Sequence, residues 1–184
     1  MEARQLTTDE LKAGLEEIRQ SRRDGGVLRL IVRRPTKGER EVLEEGRLDL
    51  VVGLVGDNWL ARSEQATPKR TPNPETQLTL MNARAAQLIA GSRERWPLAG
   101  DQLYVDLDLS PSNLPPGTRL AIGSALVEVT AEPHNGCKQF VGHFGMDAML
   151  FVNSPEGKAL SLRGINTRVV QAGVIRVGDV ATKR

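Results

Sequence analysis

The chain switches between two hydrophobic periods, and the switches mark out its elements. Leu11, Leu15 and Ile18 recur at i, i+4 and i+7 behind Thr7 and Glu10, which have capping-box spacing, so an amphipathic helix is expected before Gly25-Gly26. From Val27 to Arg34, Leu28, Leu30 and Val32 alternate with Arg29 and Arg33 until Pro35, the pattern of a strand with one wet face. Residues 36 to 46 are charged and suit a short helix. The apolar run Leu48 to Val55 reads as a buried strand, closed by the turn Gly56-Asp57-Asn58-Trp59.

Residues 62 to 76 contain Pro68, Pro72 and Pro74, which break both helix and central strand, so a surface loop is expected. Leu78 to Met81 resumes strand character, and Asn82 to Ala90 reads as a short helix with Gly91 at its C-cap. Leu103, Val105, Leu107 and Leu109 alternate with Tyr104, Asp106 and Asp108 as one strand, and Arg119 to Thr130 reads as the next. A helix fits residues 147 to 160, and Arg168 to Val180 suits a closing hairpin that turns near Gly173. Roughly six strands with short helices and no regular βαβ rhythm predict a mainly β, β-rich α+β fold: a closed or partly closed β-barrel decorated by short helices.

Length and composition narrow the class. A chain of 184 residues fits one domain, with residues 1 to 60 supplying an N-terminal helix and strands to a barrel whose core is residues 61 to 184. The 25 basic and 23 acidic residues are interspersed, which gives no nucleic-acid footprint. No apolar run approaches the roughly 20 residues that span a bilayer, and the charged N-terminus is unlike a signal peptide. A single cysteine forms no internal disulfide, so a cytoplasmic setting is expected.

The chemistry concentrates in one stretch. Pro133 to Asp147 contains the only cysteine, Cys137, and both histidines, His134 and His143. A thiolate is a strong nucleophile and a soft metal ligand, and imidazole is the neutral base that most often serves beside it. Lys138 places a positive charge next to the thiol, and His134 stands three residues before it. His-x2-Cys-x5-His also offers three ligands to a divalent metal with a fourth position open, although the spacing is no recognised zinc signature. Asp106 and Asp108 should share a solvated strand face, and Asn113 lies in a Pro-rich turn.

The order of short motifs carries a resemblance. Ala99-Gly100-Asp101 is followed by Asp106-Leu107-Asp108-Leu109-Ser110, Asn113-Leu114-Pro115, Gly117-Thr118, Ile122-Gly123 and Val127-Glu128-Val129-Thr130. Pro133-His134 and Gly136-Cys137 come next, and then Arg163-Gly164-Ile165, Arg168-Val169-Val170 and Gly173-Val174-Ile175-Arg176-Val177-Gly178-Asp179. Over roughly residues 78 to 181 this order resembles the MOSC domain family, found at the C-terminus of molybdenum cofactor sulfurases. The resemblance implies a β-barrel-like fold with one functional cysteine at a strand end, matched by Cys137. It further implies that this thiol ligates molybdenum in a pterin cofactor, molybdopterin, or carries sulfur as a persulfide. Arg163 and Arg168 are implied to hold the anionic end of the ligand, and Asn113 and Asp108 to form the pocket wall, while Lys138 and His134 tune the thiol. The chain departs from larger members in having neither the N-terminal β-barrel extension nor an aminotransferase-like sulfurase domain, so pyridoxal phosphate chemistry is not expected in it.

Three functions stay open at this point. Cys137 handles sulfur or a molybdenum-pterin centre, as a sulfur transferase or a cofactor-dependent oxidoreductase. Alternatively, Cys137 and His134 hold zinc or manganese for lyase or hydrolase chemistry on a small sulfur compound. In the third, the protein is a non-catalytic partner that accepts sulfur from a cysteine desulfurase. Oligomerisation is compatible with all three.

Overall fold

In the computed structural model, which describes residues 4–184, apolar alternation rolls seven strands into a closed barrel. The strands of the chain are β1 (Gly26–Arg33), β2 (Glu41–Leu43), β3 (Glu45–Asp49), β4 (Gly53–Leu54), β5 (Leu78–Asn82), β6 (Leu103–Asp106), β7 (Arg119–Ile122), β8 (Ala125–Val129), β9 (Ile165–Gln171), β10 (Gly173–Arg176) and β11 (Val180–Lys183). Around the barrel the order is β1-β11-β7-β8-β9-β5-β6, and β6 returns to β1. Only β5 and β6 run parallel, with Leu80 opposite Leu103; helix α4 (Ala83–Ala90) lies on the crossover between them. β11 pairs with the start of β1 and β2 with its end, and β10, β3 and β4 form a small separate sheet.

Two apolar layers share the barrel wall. Leu28, Ile31, Leu78, Leu80, Leu103, Val105 and Val127 fill the interior, whereas Leu30, Val32, Met81 and Tyr104 face outward. That outer face is covered by α1 (Thr8–Ala13), α2 (Leu15–Arg19), α4 and α5 (Lys138–Asn153), through Leu11, Leu15, Ile18, Ala86, Phe140, Phe144 and Ala148. The sequence predicted a wet face for β1, but the helices cover it. A bulge between Leu28 and Leu30 puts these two leucines on opposite sides, which simple alternation could not reveal.

Several expected elements change for local reasons. Residues 36 to 46 form no helix, because β2 and the start of β3 pair with β1 and β10. Leu48 to Val55 is a hairpin: the Asp49 carboxylate accepts from the Val51 and Val52 amides, Gly53 takes φ +73°, and Leu50 and Val51 are exposed at the tip. Part of the expected 62–76 loop belongs to α3 (Trp59–Glu64). Arg119 to Thr130 is likewise two strands that turn at Gly123, φ +56°. The closing hairpin is absent: β10 leaves the barrel to pair with β3, and β11 pairs with β1 and β7. The C-terminal helix begins at Lys138, nine residues before the range the sequence favoured, and bends at Gly145 (φ +88°) before α6 (Pro155–Ala159).

Candidate functional site

The early start of α5 decides where the thiol stands. Cys137 is the N-cap residue of this helix, with extended backbone (φ −127°, ψ 177°), and its side chain is exposed and makes no cap hydrogen bond. Two asparagines fix the segment leading to it. Asn166 on β9 donates to the Glu132 and Pro133 carbonyls, at 3.1 and 3.2 Å, and Asn153 on α5 accepts from the Gly136 amide at 3.1 Å. The thiol is therefore held between the barrel wall and the helix layer.

Beneath that segment lies a buried trio of ionic groups. Asp101, wholly inaccessible, receives Arg163 Nη1 at 2.5 Å on Oδ2, while its Oδ1 stands 2.8 Å from His134 Nε2. Burial pushes the Asp101 carboxyl up, but Arg163 and then His134 outweigh it and hold the group down to about 2. An ionised carboxylate only accepts, so Nε2 carries the hydrogen, and in the neutral ring Nδ1 is left as an acceptor. Arg163 also donates to the Ala99 carbonyl, and its guanidinium carbon lies 5.1 Å from the Phe140 ring centroid. Burial, followed by the nearby Asp101 charge, pushes Tyr104 well above its ordinary range; its hydroxyl donates to the Trp96 carbonyl.

Unusual backbone geometry delivers Arg163 to this place. Ser161 takes φ +49° and Gly164 φ +110°, turning the chain sharply out of α6 into β9. At Gly164 a Cβ would run into the Leu80 carbonyl and crowd His134 Cδ2 and Asp101 Oδ1, so glycine is required by both conformation and space.

Cys137 and His134 open onto a cavity of about 580 Å³. Arg34, Lys37, Arg40, Arg62 and Arg163 line it, and among the described residues no carboxylate does. Arg34 is answered by Asp57 through a bidentate pair, and Arg163 by Asp101. Among the described residues, Lys37, Arg40 and Arg62 have no such partner: Arg40 donates only to the Pro97 and Glu39 carbonyls. Burial and then the Arg34 charge lower the pKa of Arg40. Arg62 is open to solvent on one side, yet desolvation by the surrounding protein and then Arg34 lower its pKa as well. Asn58 Oδ1, also at this cavity, is buried without a donor. Cations crowded this way favour an anionic occupant.

The other expected site residues stand elsewhere. Arg168 is exposed on β9 and pairs with Glu128 at 2.7 Å, so it lines neither this cavity nor the one behind it. Asn113 and Asp108 build the turn after β6: Asn113 donates to the Arg23 and Asp108 carbonyls, and Asp108 caps Ser110. Lys138 is exposed and outside the cavity lining. His143 is also exposed, and among the described residues no three His, Cys, Asp or Glu side chains are grouped to hold a metal ion. The His-Cys-His ligand set is therefore not assembled, since Nε2 of His134 already faces Asp101. Sequence reasoning left Asp101, Arg34, Arg40 and Arg62 without a site role; the one available signal was Asp101 directly after Gly100 within the quoted motifs.

No protein-family model and no curated protein matches the chain. Among solved structures it is similar to the YUAD protein from Bacillus subtilis, 19% identical, covering 86% of this chain and 94% of that one with a TM-score of 0.63. It is also similar to a hypothetical protein (20% identity, 91% and 70% coverage, TM-score 0.58) and to YiiM from Escherichia coli (21%, 86% and 69%, TM-score 0.55). These likenesses are of fold, and the fold is MOSC-like. No helix among the described residues is long and apolar enough to cross a membrane.

Proposed function

We propose that the protein is a MOSC-type thiol protein whose Cys137 acts on an anionic ligand seated in the cationic cavity. The observation that carries this reading is the exposed thiol at the edge of a cavity lined, among the described residues, by five cationic side chains and no carboxylate. Arg40 and Arg62, whose charges are unanswered, take the phosphate or other acidic end of the ligand, and Asn58 Oδ1 accepts a ligand N–H or O–H. His134 is held by Asp101 with one ring nitrogen left to take a proton.

A molybdenum-pterin cofactor fits this donor set. Cys137 offers one soft ligand, the cations suit a pterin phosphate, and the cavity of about 580 Å³ has room for the fused rings. When bound, the metal would supply atom transfer through a change of oxidation state. This chain's residues would hold the phosphate, orient the ring system and position His134 to move a proton.

The exposure of Cys137 favours a second reading, sulfur carriage. The Cys137 thiolate attacks the terminal sulfur of a donor persulfide, as on a cysteine desulfurase. A bond forms from Sγ to that sulfur, the donor S–S bond breaks, and the electron pair leaves with the donor thiolate. An exposed thiol can meet a donor carried by another protein.

Elemental analysis and non-reducing intact mass of the wild type beside Cys137→Ser test both readings. Molybdenum lost in the variant supports the cofactor; the mass of one added sulfur atom, present only in the wild type, supports carriage. Equal metal content and equal added mass in the two proteins would overturn the proposal.

A further inference from the structure

Chemistry at Cys137 needs a second reactant, and the cavity beside the thiol is cationic. On the other side of Pro133–Asn135 lies a cavity of about 460 Å³ with a different lining. Leu109, Pro111, Leu114, Pro116, Val129 and Ile165 give it apolar walls. Five residues, Pro133, His134, Asn135, Arg163 and Asn166, line both cavities. One short segment thus separates an apolar chamber from the cationic one, and His134 serves each.

The chamber also has polar residues on its lining, among them one carboxylate, Glu132, and two cations, Lys158 and Arg163. Lys158 is exposed at its rim and has no ion-pair partner among the described residues, while Arg163 is only 6% exposed. Arg163 spends Nη1 on Asp101 and Nη2 on the Ala99 carbonyl, but its Nε is buried and makes no hydrogen bond among the described residues. A buried guanidinium N–H without an acceptor is rare and costly, and an oxygen supplied by a ligand would satisfy it. Apolar walls with a small number of polar and charged groups are the pattern of a small-molecule site.

We infer that this chamber is a separate binding subsite for a small organic anion: its apolar body packs on Leu109, Leu114, Val129 and Ile165, and its acidic group meets Lys158 and Arg163. The bound molecule's role as second reactant rests on the proposed function of Cys137. Its binding does not, and is measured apart from it.

The probe is 8-anilinonaphthalene-1-sulfonate, an apolar ring system with one acidic group, titrated by fluorescence into the full chain. One site is expected. Ala131→Trp, an exposed position that lines only this chamber, should weaken binding by at least about tenfold, and Lys158→Glu should weaken it several-fold. Arg168→Ala, outside both cavities, should leave it unchanged. Wild-type affinity in both Ala131→Trp and Lys158→Glu, or competitive displacement of the dye by inorganic phosphate, would overturn the inference. If phosphate protects Cys137 from alkylation while the dye ignores Ala131→Trp, the subsite falls and the role of the thiol stands. If the dye behaves as expected and Cys137 carries neither metal nor sulfur, the reverse holds.

Discussion

Asp101 Oδ1 lies 2.8 Å from His134 Nε2 and ties a buried carboxylate to the histidine three residues before the thiol. The same carboxylate neutralises Arg163 on its other oxygen, so one aspartate organises the floor shared by both cavities. Replacing it by asparagine removes the charge while keeping the shape. Asp101→Asn leaves the Arg163 guanidinium buried without a counter-charge, and breaking such a pair costs about 3–5 kcal/mol. Urea denaturation should show an unfolding free energy lowered by that amount.

The same group sets an acid limit. Its carboxyl is held at about 2 in the folded chain, below the ordinary aspartate value of 3.8. A depressed folded-state pKa means that its stabilisation is fully present above 3.8 and is lost as the pH falls from there toward about 2. The loss amounts to about 2 kcal/mol at most. Stability measured across this window should fall with acid in the wild type, and the part due to residue 101 should vanish in Asp101→Asn.

Cys137 is exposed and caps α5 without a side-chain hydrogen bond, so Cys137→Ser should change stability by less than about 0.5 kcal/mol. In the wild type, inorganic phosphate should slow alkylation of this thiol by iodoacetamide. Arg40→Ala should raise the phosphate concentration needed by about tenfold, and added salt should do the same.

Gly164→Ala imposes a side chain at φ +110° and against the Leu80 carbonyl, so a loss of at least about 2 kcal/mol is expected. Arg168→Ala breaks only an exposed pair with Glu128 and should cost less than about 1 kcal/mol. Thermal unfolding of the two variants should separate them clearly, and only Gly164→Ala should disturb phosphate protection of Cys137, because that glycine holds Arg163 and His134 in register.

Local pattern located much of the framework. The capping box at Thr7 and Glu10 is formed, Asn82 caps α4 while Gly91 ends it, and the strand expected over Leu103 to Leu109 runs through the barrel wall as far as Asp106, where the turn held by Asp108 and Asn113 follows. Some misses came where one apolar run contained a turn, as at Asp49–Gly53 and Gly123, or where a bulge reversed the facing of a strand, as between Leu28 and Leu30, and others where pairing with a distant strand recruited a charged segment, as at residues 41 to 46. Period alone cannot mark these, since a turn interrupts pairing without interrupting hydrophobicity.

The sequence by itself determined that this is a β-rich barrel with short helices and that its lone thiol stands beside a histidine, because these follow from short-range period and residue identity. Only the tertiary structure decided which charges gather around that thiol. Arg34, Arg40 and Arg62 precede Cys137 by 75 residues or more, and Asp101 by 36, yet barrel closure brings them to one cavity and one floor. Arg168 is close in sequence to Arg163 but pairs with Glu128 instead, because it sits farther along β9, opposite Glu128 of β8. Strand register and desolvation set these partnerships, and both are properties of the folded chain.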